Sequence, residues 1–325
     1  MPQIHNYTAT RTDDHGAPVV RLTDAAHNVE VTVVPSFGNR AIRMLVHGQN
    51  ILYVPSDDPA QLKADRSLNG IPFLAPWANR MPDGFWANGK QYPFNVGLDS
   101  IRRDGNGIPI HGMLTASPFW EVTECAANET SAHVTSRLEF WRHPDLMANW
   151  PIAHEYAMTY RLSQGTLEVS VTVTNLSAEP MPIAVGFHPY FQIPGVPLAQ
   201  AFAHIPARLH VETDKRLVAT GETTPVDFPE RGSLADHHFD DGFTGLTDRT
   251  FYVEGGGKRI EVEFGPKYTV AIIYAPPGHD YICFEPMTVI TNGINLAHEG
   301  KYTGSQTVAP RARWSESFRV RTKGF

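Results

Sequence analysis

Leu167-Glu-Val-Ser-Val-Thr-Val-Thr174 decides the fold class. Leu167, Val169, Val171 and Val173 stand on one phase, and Glu168, Ser170, Thr172 and Thr174 on the other. Successive side chains of an extended backbone point to opposite faces, so this is a strand with one buried and one wetter face. The same alternation recurs outward from it. Val29, Val31 and Val33 interleave with Glu30, Thr32 and Val34, and Val134, Leu138 and Phe140 share one phase of another run. Ile152, His154, Tyr156, Met158, Tyr160 and Leu162 form a longer one; Ile260, Val262 and Phe264 follow, then Tyr268, Val270, Ile272 and Tyr274. Helical periodicity is nearly absent, and only Asp58 to Ala64 predicts a short helix. Twenty-six glycines and 26 prolines punctuate the runs, the pattern of many strands joined by tight turns. Gly255-Gly-Gly257 reads as a hairpin turn, and the Rossmann and Walker glycine patterns are both missing. With no internal repeat and no compositional break, the chain is expected to be all-β, with few or no helices. One large antiparallel β-sandwich should occupy residues 1–325 as a single domain, with long loops at 55–120 and 190–245.

Bulk properties narrow the class of function. Hydrophobic content of 42% and charged content of 19% over 325 residues suit a globular chain able to bury a large core. A formal net charge of −7 without a long basic run argues against nucleic acid or an anionic membrane as partner. Arg11, Asp13, Asp14 and His15 interrupt any signal-peptide core, and no apolar run approaches the roughly 20 residues of a membrane span. Cys125 and Cys283 form no CxxC pair, which suits a reducing compartment. A cytoplasmic protein is expected.

Polar chemistry gathers in five places between the strands, where rigid scaffolds carry function. In Val185-Gly-Phe-His-Pro-Tyr-Phe191 a histidine is held by the following proline and walled by aromatics. That leaves an imidazole able to exchange protons with a ligand, or a core histidine satisfied by its own backbone. In Gly70 to Pro82 the pair Asn79-Arg80 ends a proline-stiffened apolar loop. The guanidinium fork suits vicinal hydroxyls or a carboxylate, and equally an arginine tying down its own loop. His111 precedes Gly112, which permits close approach by a ligand or simply makes a turn. Asp240 and Asp241 lie in Asp236-His-His-Phe-Asp-Asp-Gly-Phe243, whose spacing does not match an EF-hand loop. Glu285 ends the apolar run Tyr281-Ile-Cys-Phe and precedes proline, a placement suiting either a tuned base or a structural ion pair.

Together these segments resemble the aldose 1-epimerase (mutarotase) family of the galactose mutarotase-like superfamily. The matching text is Gly70-Ile-Pro-Phe-Leu-Ala-Pro-Trp-Ala-Asn-Arg80, Ile110-His-Gly112, Gly186-Phe-His-Pro-Tyr-Phe191, Phe239-Asp-Asp-Gly-Phe243 and Phe284-Glu-Pro-Met287, in the family's order. The resemblance implies a β-supersandwich whose open cleft binds a free monosaccharide, an aldohexose such as galactose or glucose. It also implies an isomerase that interconverts the α and β anomers. His188 would be the catalytic acid and Glu285 the base; Arg80, His111, Asp240 and, more weakly, Asn79 would contact sugar hydroxyls, with Asp241 competing with Asp240. No organic cofactor and no metal are implied, and the oligomeric state is left open. Trp77, Trp86 and Tyr190 are candidates to pack on the sugar's apolar face. Arg102 to Ile110 departs from the family's approach to the histidine, and Met113 stands where many relatives carry a second glycine. The particular aldose is therefore open. Arg102 and Arg103 keep a hexose 6-phosphate among the alternatives, beside a non-catalytic sugar-binding protein of the same fold.

Overall fold

The computed structural model describes residues 6–65, 68–95, 97–98 and 101–325. Parts of two expectations fall elsewhere: the start of the chain at residues 1–5, and positions 66, 67, 96, 99 and 100 of the first long loop.

Every pairing between the strands described is antiparallel, in sheets of nine, eight and five strands with two small two-stranded pieces. The opening stretch is the strand Thr166–Asn175, and its side chains alternate half-buried and buried along its whole length. It lies inside the nine-stranded sheet, Val169 facing Tyr160 on one side and Phe318 on the other. Aromatics from the nine-stranded sheet meet those of the eight-stranded one: Phe318 against Phe187 at 5.0 Å, Tyr156 against Phe73 at 5.3 Å, Phe251 against Phe284 at 6.0 Å. Two sheets so joined face to face make a β-sandwich. One buried apolar cluster runs from Tyr7 in the five-stranded sheet to Val320 near the end of the chain.

Several expectations need correction. Residues 190–245 are not one long loop, since they hold the strands Phe202–His204, Ala207–Thr213, Ala219–Pro225, Arg231–Ser233 and Phe239–Leu246. Most of these lie toward sheet edges, where the exposed, polar Ala219–Pro225 shows no apolar alternation to read. Phe140 shares the phase of Val134 and Leu138, but its strand stops at Leu138 and Phe140 opens a short 3₁₀ turn. The helix expected at 58–64 forms as Pro59–Asp65, with Asp58 accepting the Ala60 N–H at its start. Pro144–Met147 and Gly293–His298 are further short helices, too brief to leave a period of 3.6 in the sequence. The Gly256-Gly257 turn joins Thr250–Gly255 to Lys258–Phe264 as expected. No helix among the described residues is long and apolar enough to cross a membrane, and Cys125 and Cys283 are unpaired.

Candidate active site

The strand Ile282–Met287 pairs with two short strands, Gly186–Phe187 and Tyr190–Phe191, separated by His188-Pro189. The register that sets Gly186 against Met287 and Tyr190 against Cys283 puts His188 directly opposite Glu285. Pro189 and Pro286 both lack the N–H that a continuous ladder would use, so the ladder is interrupted at this point. Gly186 is favoured beside it, because a Cβ there would stand 2.9 Å from the Pro286 carbonyl oxygen and also displace the Met287 side chain. On the other flank Ile272 pairs with Glu285, and Tyr274 of the same strand pairs with Asp240. Strand periodicity thus sets His188, Tyr190, Glu285, Ile272, Tyr274 and Asp240 on one face. Phe187, Phe284, Ile273 and Phe243, on the opposite phase, belong to the main apolar core.

Above this face an open cleft of about 410 Å³ is lined by those six side chains together with Asn79, Arg80, His111 and the Arg102–Gly105 segment. His188 Nε2 lies 3.2 Å from Glu285 Oε1, both residues being nearly inaccessible to solvent. The imidazole lies flat against Tyr190, with ring centres 4.6 Å apart and planes 3° from parallel. His111 and Tyr274 meet it edge-on. Among the described residues, Glu285 Oε2 has no hydrogen-bond partner. Burial pulls His188 down to about 3, a hydrogen bond to its own backbone opposing the fall and Arg102 and Arg40 adding to it. Burial also pushes Glu285 well above the ordinary carboxylate range, Asp240 reinforcing the rise and Arg80 opposing it. Between those extremes the pair holds one proton, which belongs to both residues together.

Two loops deliver the next groups. His111 and Asn79 both adopt left-handed backbone, at φ 63° and 56°. They are bonded reciprocally: Asn79 N–H donates to His111 Nδ1 at 3.3 Å, and His111 N–H donates to the Asn79 carbonyl at 3.0 Å. Burial, then the charges of His188, Arg102 and Arg80, hold His111 well below its ordinary value. It is neutral at physiological pH, and with Nδ1 accepting, the proton sits on Nε2 as a donor. Gly112 follows at φ 66°, where a Cβ would lie 2.1 Å from the Ala75 carbonyl oxygen. Only glycine lets the two loops approach this closely. Arg80 Nε–H donates to Asp104 Oδ2 at 2.7 Å, and its Nη2 lies 3.6 Å from Asp240 Oδ2.

Of the sequence candidates, the structure brings His188, Glu285, Arg80, His111, Asp240 and Asn79 to one cleft. Asp241, on the opposite phase, accepts a hydrogen bond from His210 Nε2 at 2.8 Å and does not line it. Burial raises Asp240, partly countered by Arg80 and reinforced by Asp241. Among the candidate aromatics, Trp77 is fully buried and stacked on Phe94, Trp86 stacks on His298 in a separate groove, and Tyr190 alone reaches the cleft. Sequence reasoning passed over Asp104 and Tyr274. The phase shared by Ile272 and Tyr274 marked the latter, whereas nothing local marked Asp104 as a partner of Arg80.

A carboxylate and an imidazole sharing a proton beside a cluster of hydrogen-bonding side chains can accept one proton and donate another within a single pocket. Similar solved structures carry the same fold. A galactose mutarotase-like protein from Clostridium acetobutylicum is 23% identical, with TM-score 0.87, covering 98% of this chain and 99% of its own. A galactose 1-epimerase from Lactobacillus acidophilus is 14% identical, with TM-score 0.77 and 98% coverage of both chains. The Slr1438 protein of Synechocystis is 24% identical, with TM-score 0.76, covering 97% of this chain and 98% of its own. The profile of the Aldose 1-epimerase family matches residues 18–321, and the chain belongs to that family.

Proposed function

We propose that this protein is an aldose 1-epimerase that interconverts the α and β anomers of a free aldose, with His188 as acid and Glu285 as base. The observation that carries the reading is the 3.2 Å His188–Glu285 contact on the floor of an open cleft. In the reactive form the proton of the pair sits on His188 and Glu285 is a carboxylate. Glu285 removes the proton of the C1 hydroxyl while His188 protonates the ring oxygen. The C1–O5 bond breaks, its electron pair goes to O5, and the C1 oxygen becomes an aldehyde. Rotation about C1–C2 turns the other face of the aldehyde to the C5 hydroxyl. Reclosure then runs the proton transfers backwards: His188 takes the proton of that hydroxyl and Glu285 returns one to the C1 oxygen.

The pair carries one proton before and after each half-reaction, so no other proton donor is required. Ring opening leaves Glu285 protonated and His188 neutral, which is the form burial favours. The enzyme is thereby suited to the open-chain intermediate, and sugar hydroxyls entering the cleft return the proton to His188. His111 Nε2–H, the Arg80 guanidinium and the Asp240 carboxylate supply donors and an acceptor for the remaining hydroxyls. They hold the open chain until it recloses. A cytoplasmic setting belongs to the same reading, since both thiols are free.

Arg102 and Arg103 also line the cleft, which favours a hexose 6-phosphate as a second reading. Polarimetry of freshly dissolved α-D-glucose and α-D-galactose, with further aldoses and a 6-phosphate, tests both. Acceleration over buffer is expected for at least one neutral aldose. Acceleration of the phosphorylated sugar alone selects the second reading, and none for any sugar contradicts both.

A further inference from the structure

Arg80 presents five N–H donors in a planar fork. One of them is held much more tightly than the rest. Its Nε–H donates to Asp104 Oδ2 at 2.7 Å, a charge-assisted bond between side chains only 11% and 8% exposed. The Nη contacts are looser, Nη1 standing 3.4 Å from Asn79 Oδ1 and Nη2 3.6 Å from Asp240 Oδ2. The second is longer than a hydrogen bond. One bond therefore orients the guanidinium, and the Nη edge remains exchangeable on the Asp240 side of the cleft.

The other oxygen of Asp104 builds the turn that carries it. Oδ1 accepts the N–H of Asn106 at 2.9 Å and of Ile108 at 3.0 Å. Asp104 N–H donates to the Ile108 carbonyl, and Gly107 N–H returns to the Asp104 carbonyl. Arg103 bridges to Pro109 and Arg80 to Ile110, so the turn sits against the loop bearing His111. Burial pushes the Asp104 carboxyl up, but Arg80 and the two N–H groups outweigh it and hold the carboxyl below its ordinary value. Asp104 is thus a charged group at neutral pH. It closes the 104–108 turn with one oxygen and orients Arg80 with the other.

We propose that Asp104 is a positioning residue for sugar recognition: it fixes the Arg80 guanidinium so that the Nη edge meets sugar hydroxyls, and takes no part in the proton transfers. The inference rests on the epimerase reading. Asp104→Asn tests it, because the amide keeps an oxygen for the Asn106 and Ile108 N–H groups but offers Arg80 Nε–H an NH₂ that cannot accept. KM for the best aldose of the panel should rise about tenfold to a hundredfold, the worth of one hydrogen bond to a charged group. The sugar Kd from NMR titration should rise in parallel, with kcat within about threefold of wild type; the thermal midpoint should fall, because Arg80 loses its charged partner, while the variant stays folded at the assay temperature. Unchanged KM and Kd overturn the proposal, as does a fall in kcat at constant KM, which would assign Asp104 to the chemistry. Wild-type protein gives a second reading that does not depend on the variant folding. The Arg80 Nε–H resonance, assigned through Arg80→Lys, should stay protected from exchange in the free and sugar-saturated states. Its loss on adding sugar also overturns the proposal. Failure of the epimerase reading is separate: the wild type would then accelerate no aldose, whereas failure of this inference leaves an active wild type and an Asp104→Asn variant of equal affinity.

Discussion

His188 and Glu285 are two buried groups whose surroundings push their proton affinities in opposite directions. An isolated histidine loses its proton near pH 6.5, and a carboxylic acid near 4.3. The pair instead takes up a second proton only far to the acid side and gives up its last well above the carboxylate range. The single-proton form that the proposed anomer exchange requires therefore extends from far on the acid side to above the ordinary carboxylate range. We expect kcat/KM to stay level as pH falls from neutral through the ordinary carboxylate range, with no loss of activity at the ordinary carboxylate value. A stopped-flow or NMR pH–rate profile checks this, and an acid limb with its midpoint near the ordinary carboxylate value of about 4.3 would contradict the shared-proton account.

At the scale of the element, strand phase separates two neighbouring aspartates that the sequence motif left in competition. Phe239, Asp241 and Phe243 share one face of Phe239–Leu246, while Asp240 and Gly242 share the other, with Tyr274 and Glu285. That choice was readable from the two phenylalanines, which mark the core phase; the short motif alone did not contain it. Asp240→Ala should raise KM, because it removes an acceptor from the cleft. Asp241→Ala should leave KM unchanged and act on His210. Burial lowers the His210 pKa, but the hydrogen bonds it donates to Asp241 and Glu212, and their charges, outweigh it and leave the group raised. A raised histidine stabilises the fold fully below its unfolded value of about 6.5, and that contribution is lost as pH rises through the folded value. The Asp241→Ala deficit in thermal stability should therefore be largest on the acid side and shrink toward alkaline pH. Scanning calorimetry and steady-state kinetics on the two variants check both halves. The Arg80–Asp104 pair was not legible in the same way. Its members are 24 residues apart, and only the closed 104–108 turn brings them together.

For the molecule as a whole, the alternation that announces the sandwich is strongest in strands buried on one face, such as Thr166–Asn175, and fades in strands that the core hardly touches. The fold class was thus plain from the sequence, while the extent of sheet after residue 190 was not. The site groups come from distant parts of the chain, Asn79, His111, His188, Asp240 and Glu285, and converge because antiparallel register sets one strand face beneath two glycine-dependent loops. Motif order held the identities of these groups, and register holds their geometry. The central claim is that this geometry moves protons on a sugar through His188 and Glu285. The measurement that tests it most directly is two-dimensional exchange NMR on an equilibrated aldose. The α-to-β exchange rate would be compared for wild type, His188→Asn and Glu285→Gln, with sugar binding and thermal midpoint recorded for each. The account predicts rapid exchange with wild type and a loss of about 10²–10⁴-fold in either variant while the protein stays folded and binds sugar. Losses of only a few-fold, or no exchange above buffer with wild type, would contradict it.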